Sequence, residues 1–154
     1  MRKGLRTLAF IGPHANTSLG LLGNYFGGNS LVFEQTPLVS ARRAGVAQEV
    51  TYAPGVPCFN VTHSGSRKEP YPLCVTTDTP VRTHIAAAVA AAREAEAAVL
   101  FLGIAAVNNS GPCDAMAGVE GEGCDRSSIS LPPVQEALLR AVVSTDASWY
   151  LLPA

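Results

Sequence analysis

The chain has 154 residues, 47% of them apolar and 15% charged, with a formal net charge of −1. That composition suits one globular domain with its own core and excludes a disordered chain. Apart from Arg2-Lys3 the adjacent basic pairs are Arg42-Arg43 and Arg67-Lys68. This is too little for the cationic face that nucleic acid requires, and no apolar run approaches the ~20 residues that span a bilayer.

In chain order, the first element is a buried strand over Thr7–Ile11. Its basic start and apolar Leu8-Ala9-Phe10-Ile11 superficially resemble a signal peptide, but Gly12-Pro13-His14 ends the run too early for that. A short helix is predicted over Ser18–Gly23, followed by a second over Thr36–Ala44 with Thr36 as cap and Pro37 opening it. Glu49–Ala53 reads as a second strand, ended by Pro54-Gly55. The Ala-rich stretch Thr79–Glu96 predicts a helix whose small side chains let it lie close to a sheet. Ala98–Leu102 is a third, fully apolar strand, and a last helix is expected over Pro132–Val143. Continuously apolar strands alternating with helices indicate a parallel α/β sheet covered on both faces.

Two long insertions interrupt this order, Pro54–Asp78 and Gly103–Ser128, and each follows the carboxyl end of a predicted strand. That edge is where ligands bind in parallel sheets, and long loops in compact domains are usually functional. Each insertion holds two of the four cysteines, Cys58 and Cys74 in the first, Cys113 and Cys124 in the second. Pairing within each loop makes the smallest demand on chain entropy. With sequons at Asn16, Asn60 and Asn108, such pairing predicts a secreted, disulfide-bonded and glycosylated protein. No Cys-x-x-Cys pair is present, and His14, His63 and His84 are scattered, so no metal or cofactor is expected and the histidines read as surface or packing residues.

The second insertion contains Glu120-Gly121-Glu122-Gly123-Cys124-Asp125-Arg126. Taken alone this is an acidic turn or a calcium loop. A carboxyl crowded by other carboxylates or withdrawn from water, however, has a raised pKa and can donate a proton near neutrality.

The surrounding motifs resemble the C-terminal α/β-sandwich domain of glycoside hydrolase family 3, in its β-xylosidase-like branch. Ile11-Gly12-Pro13-His14-Ala15-Asn16 is similar to that family's first strand end. Leu22-Gly23-Asn24-Tyr25-Phe26-Gly27, Thr36-Pro37-Leu38 and Val50-Thr51-Tyr52-Ala53-Pro54-Gly55 follow in the family's order. The Ala86–Gly103 helix and strand come next, with Glu96 where the family usually has Asp, and then the run from Glu120 to Gln135. The resemblance covers about residues 5–143, which places a truncated family domain at 5–144 and a divergent tail without strand pattern at 145–154.

It implies a mostly parallel sheet sandwiched by helices, forming an incomplete second domain of a two-domain retaining exo-glycosidase. A TIM-barrel domain, normally on the same chain, would carry the aspartate nucleophile. This domain would supply the acid/base glutamate, Glu120 by its place in the motif, with Glu122 as rival. Asp125 and Arg126 would support the loop, and Asn24 and Tyr25 would lie near the substrate. Implied substrates are oligosaccharides or aryl glycosides of xylose, arabinose or glucose, as in plant-cell-wall breakdown. Hydrolysis by this chain without the barrel is expected to be negligible.

The sequence departs from the pattern in two places. Ala105 stands where xylosidase relatives have an acidic residue, and the loop to Glu120 is longer than usual. These departures keep a second class in play, a carbohydrate-binding or structural module without catalysis. A nucleotide-binding domain or a serine hydrolase would need glycine motifs that are missing here.

Overall fold

In a computed structural model, residues 4–17, 35–61, 71–74, 82–104 and 129–153 are described. The apolar run at the N-terminus forms β1 (Leu5–Ile11), and the two further predicted strands appear as β2 (Ala47–Ala53) and β5 (Ala97–Leu102). Among the described residues they join a four-stranded sheet in the order β2-β1-β5-β6, β6 being Ser148–Pro153, with every neighbouring pair parallel.

The burial of β1 and β5 shows why their sequences lack alternation. On one face Ala9, Ile11, Ala98, Leu100 and Leu102 pack against Ala88 and Ala92 of α2 (Arg82–Glu94) and Leu138 and Val142 of α3 (Pro133–Val143). On the other, Leu8, Phe10, Val99 and Phe101 pack against Leu38 and Ala41 of α1 (Pro37–Ala44). The rings of Phe10 and Phe101 lie with centroids 4.8 Å apart on that face. Both faces are covered, as the sequence implied. Ala88 and Ala92 are fully buried, which accounts for the Ala-rich helix by close approach to the sheet.

Local chemistry sets the helix ends. Thr36 Oγ1 accepts a hydrogen bond from the Val39 N–H at 3.2 Å, and Pro37 opens α1 as expected. Gly45, at φ +59°, terminates it: the Gly45 N–H reaches Arg42 O and the Val46 N–H reaches Ala41 O, the two bonds of a Schellman motif. Arg42 then fixes α1 to β2 by donating twice to Val50 O, at 3.2 and 3.0 Å. α2 stops at Glu94, short of the predicted Glu96, because the Glu96 N–H is taken by Thr7 O and Thr7 Oγ1 at the start of β1.

Two expectations need correction. The tail, in which no strand pattern is legible, contains β6 (Ser148–Pro153), which pairs with β5 from Ala97↔Ser148 to Leu102↔Pro153. Among the described residues it is one of the two outer strands of the sheet, and Trp149 and Tyr150 are each 46% exposed. The first insertion is also not structureless. It holds an antiparallel ribbon of β3 (Cys58–Val61) and β4 (Tyr71–Cys74), whose register sets Cys58 opposite Cys74. The predicted helix at Ser18–Gly23 lies outside the described residues.

Candidate functional site

The carboxyl edge of the sheet is built by three chain reversals that meet. After β1, the Gly12 N–H donates to Ala53 O at 3.0 Å and the His14 N–H to Phe101 O at 3.4 Å, so the exit of β1 is tied to the ends of both neighbours. Gly12 has φ +118°, and a Cβ there would overlap the Phe101 carbonyl. Only glycine permits that approach. After β2, a Cβ on Gly55 would run into the Leu138 side chain, so this reversal sits directly on α3.

The N-terminus of α1 docks on the same edge. The Leu38 N–H donates to Ala15 O at 2.9 Å, and Thr36 Oγ1, while accepting from Val39, donates to Asn16 Oδ1 at 3.0 Å. The glycosylation candidate Asn16 is therefore half-buried with its amide oxygen engaged.

The third reversal follows β5. Gly103, its first residue, donates its N–H to Gln135 Oε1 at 2.9 Å, and Gly103 O accepts from Gln135 Nε2 at 2.7 Å. Gln135 is fully buried in the first turn of α3. Gly103 O also lies 3.1 Å from His14 Nε2. A carbonyl can only accept, so that contact fixes the hydrogen on Nε2 of the imidazole. Burial holds His14 below its ordinary pKa, with the Gly103 bond opposing the shift. Tyr52, on β2, is pushed up to about 12 by burial.

Of the residues singled out from sequence, Glu120, Glu122, Asp125, Arg126, Asn24, Tyr25, Cys113, Cys124 and Asn108 lie outside the described residues. What the structure does place is the frame on either side of the acidic segment: Gly103 before it and Gln135 after it are in direct contact. Sequence reasoning assigned Gln135 only as the end of a motif and His14 only as a surface or packing residue. The available signal was a glutamine inside an apolar helix start, Val134-Gln135-Glu136-Ala137-Leu138.

Comparison with known proteins decides the family. The model of the glycosyl hydrolase family 3 C-terminal domain matches residues 1–150. The chain belongs to glycoside hydrolase family 3. Its fold is also that of solved family members. An exo-β-xylosidase of family 3, solved with a xylobiose aziridine probe, is 24% identical with a TM-score of 0.66, over 97% of this chain and 15% of that one. The Bifidobacterium adolescentis family 3 β-glucosidase is 24% identical (TM-score 0.58), covering 97% of this chain and 17% of its own. A β-glucosidase of saponin metabolism from intestinal bacteria is 19% identical (TM-score 0.63), over 97% of this chain and 21% of its own. At these identities the likeness concerns the fold, and the family 3 domain described here spans about a fifth or less of those enzymes' length.

Proposed function

We propose that this domain supplies the acid/base glutamate of an exo-acting retaining β-glycosidase, of the β-xylosidase, α-L-arabinofuranosidase or β-glucosidase type. Glu120 is the preferred residue and Glu122 its rival. What supports the reading is a family 3 domain whose sequence carries the acidic segment between Gly103 and Gln135, two residues in direct contact. That contact lies at the carboxyl edge, where parallel α/β sheets bind ligands.

The chemistry needs two carboxyl groups ~5–5.5 Å apart across the glycosidic bond. In the proposed assembly a barrel domain contributes an aspartate that attacks the anomeric carbon. The glutamate protonates the departing oxygen, and a glycosyl–enzyme ester forms. The same glutamate, now ionised, takes a proton from water as that water cleaves the ester. Substrates are then oligosaccharides or aryl glycosides of the plant-cell-wall type. Asp125 and Arg126 support the loop, and Asn24 and Tyr25 stand close to the sugar.

A secreted setting belongs to the same proposal. The opposition of Cys58 and Cys74 in the β3–β4 ribbon supports it, because directly opposed antiparallel residues have Cα atoms about 4.5–5.5 Å apart, within disulfide reach.

The test is release of nitrophenol from aryl xyloside, arabinoside and glucoside. The 154-residue chain by itself is expected to release none, and to do so when joined to a family 3 barrel. Clear turnover by the chain alone, abolished in Glu120→Gln, would refute the dependence on a barrel. Saturable sugar binding without turnover in the joined protein, unchanged when Glu120 and Glu122 are both replaced, would favour a binding module.

A further inference from the structure

The register of the β3–β4 ribbon sets Cys58 opposite Cys74, Phe59 opposite Leu73, Asn60 opposite Pro72 and Val61 opposite Tyr71. Opposed residues in an antiparallel pair alternate between those that exchange two N–H···O bonds and those that exchange none. Pro72 has no N–H to give, so Asn60 and Pro72 form a pair of the second kind. Two steps along each strand, Cys58 and Cys74 are of that same kind. Their Cα atoms then stand about 4.5 Å apart, the closer of the two spacings and inside the range that a disulfide spans. Phe59–Leu73 and Val61–Tyr71 are the pairs left to carry the hydrogen bonds.

The end of the ribbon at Cys58 is anchored. Ala53 ends β2, Gly55 has no room for a Cβ against Leu138, and Val56 is fully buried two residues before Cys58. The ribbon itself has only four residues in each strand. A two-stranded ribbon of that size is marginal in water without a further tie.

We propose that Cys58 and Cys74 form a disulfide, and that this bond, at the anchored end, is what holds β3 and β4 together. Reduction then opens the ribbon and leaves the parallel sheet intact. The oxidant is another disulfide. One cysteine thiolate attacks it and expels a thiolate, and the second cysteine thiolate displaces the other. Two cysteine thiols are oxidised, one disulfide is reduced to two thiols, and the cysteine protons pass to those thiols. The secreted setting proposed above supplies such an oxidant; the bond rests on that setting for nothing else.

The test equilibrates the 154-residue chain with oxidised glutathione and then with a dithiol reductant. Cleavage after Arg67 and Lys68 separates the two cysteines, so a bond between them shows in mass spectrometry as a joined pair of peptides. Hydrogen exchange at the amides of Phe59, Val61, Tyr71 and Leu73 reads the ribbon, and the amides of β1 and β5 read the sheet. The joined pair is expected, and on reduction the ribbon amides should exchange about a hundredfold faster while β1 and β5 do not change. The double variant Cys58→Ser with Cys74→Ser, in oxidising buffer, should match the reduced wild type; it leaves any bond between Cys113 and Cys124 in place.

A bond from Cys58 or Cys74 to Cys113 or Cys124 overturns the proposal, as do thiols that stay free in oxidised glutathione. So does ribbon exchange that is unchanged by reduction, or an equal acceleration in β1 and β5. The secreted setting fails separately, if the chain made in a secretory host keeps both thiols while oxidised glutathione joins them in the purified protein.

Discussion

At the amino edge of the sheet, Gly4 and Gly45 face open space, and β1 meets the turn before β5 through the exposed Arg6–Glu96 pair at 3.7 Å, the Arg6 N–H on Glu96, and the Glu96 N–H on Thr7 O and Oγ1. At the carboxyl edge, Gly12 and Gly55 have no room for a Cβ, and Gln135 is buried against Gly103 beside a half-buried His14. Both edges are made of strand ends and glycines, yet they use them differently. The amino edge is exposed, with open space at its glycines. The carboxyl edge holds backbone in close, specific contact, as expected where a site has to be held in place.

The largest difference should appear on adding one methyl group at each edge. Gly12→Ala puts a Cβ into the Phe101 carbonyl and forces an unfavourable φ, and a loss of about 4 kcal/mol or more is expected, read by urea unfolding. Gly45→Ala meets no neighbour and carries only the left-handed backbone cost, about 1–2 kcal/mol. Equal losses for the two would end the contrast.

A smaller effect concerns pH. Burial depresses the His14 pKa, so the unfolded chain binds its proton first as the pH falls. Stability should be fully present above about 6.5, the unfolded value, and decline below it, and His14→Gln should flatten that decline. The smallest effect is at the amino edge. Arg6→Ala removes an exposed ion pair and should cost about 0.2–1 kcal/mol, diminishing further in salt.

The inner strands were legible in the sequence because both sheet faces are covered, which turns Leu8–Ile11 and Ala98–Leu102 into unbroken apolar runs. Helix α1 was legible because Thr36 and Pro37 mark its start chemically. β6 was not, since Ser148-Trp149-Tyr150-Leu151-Leu152-Pro153 does not alternate cleanly and its Trp149 and Tyr150 are exposed. Nor was the β3–β4 ribbon, where Pro72 interrupts the strand signal. At the carboxyl edge, Gly12 and Gly55 are the motif glycines that the close packing there requires. The contact of Gln135 with Gly103 was marked in the sequence only by a glutamine beside Val134 in a helix start. A glutamine in a first helical turn is ordinarily solvated, and this one is buried only because Gly103 arrives from 32 residues upstream.

Delivery of the proton by Glu120 or Glu122 in a family 3 glycosidase is the proposal on which the reaction depends. It is tested most directly by the turnover of an aryl xyloside or glucoside in this domain joined to a family barrel, as wild type, Glu120→Gln and Glu122→Gln. A loss of roughly 10²–10⁴-fold is expected in one of the two single variants, Glu120→Gln first. Undiminished turnover in both would contradict it.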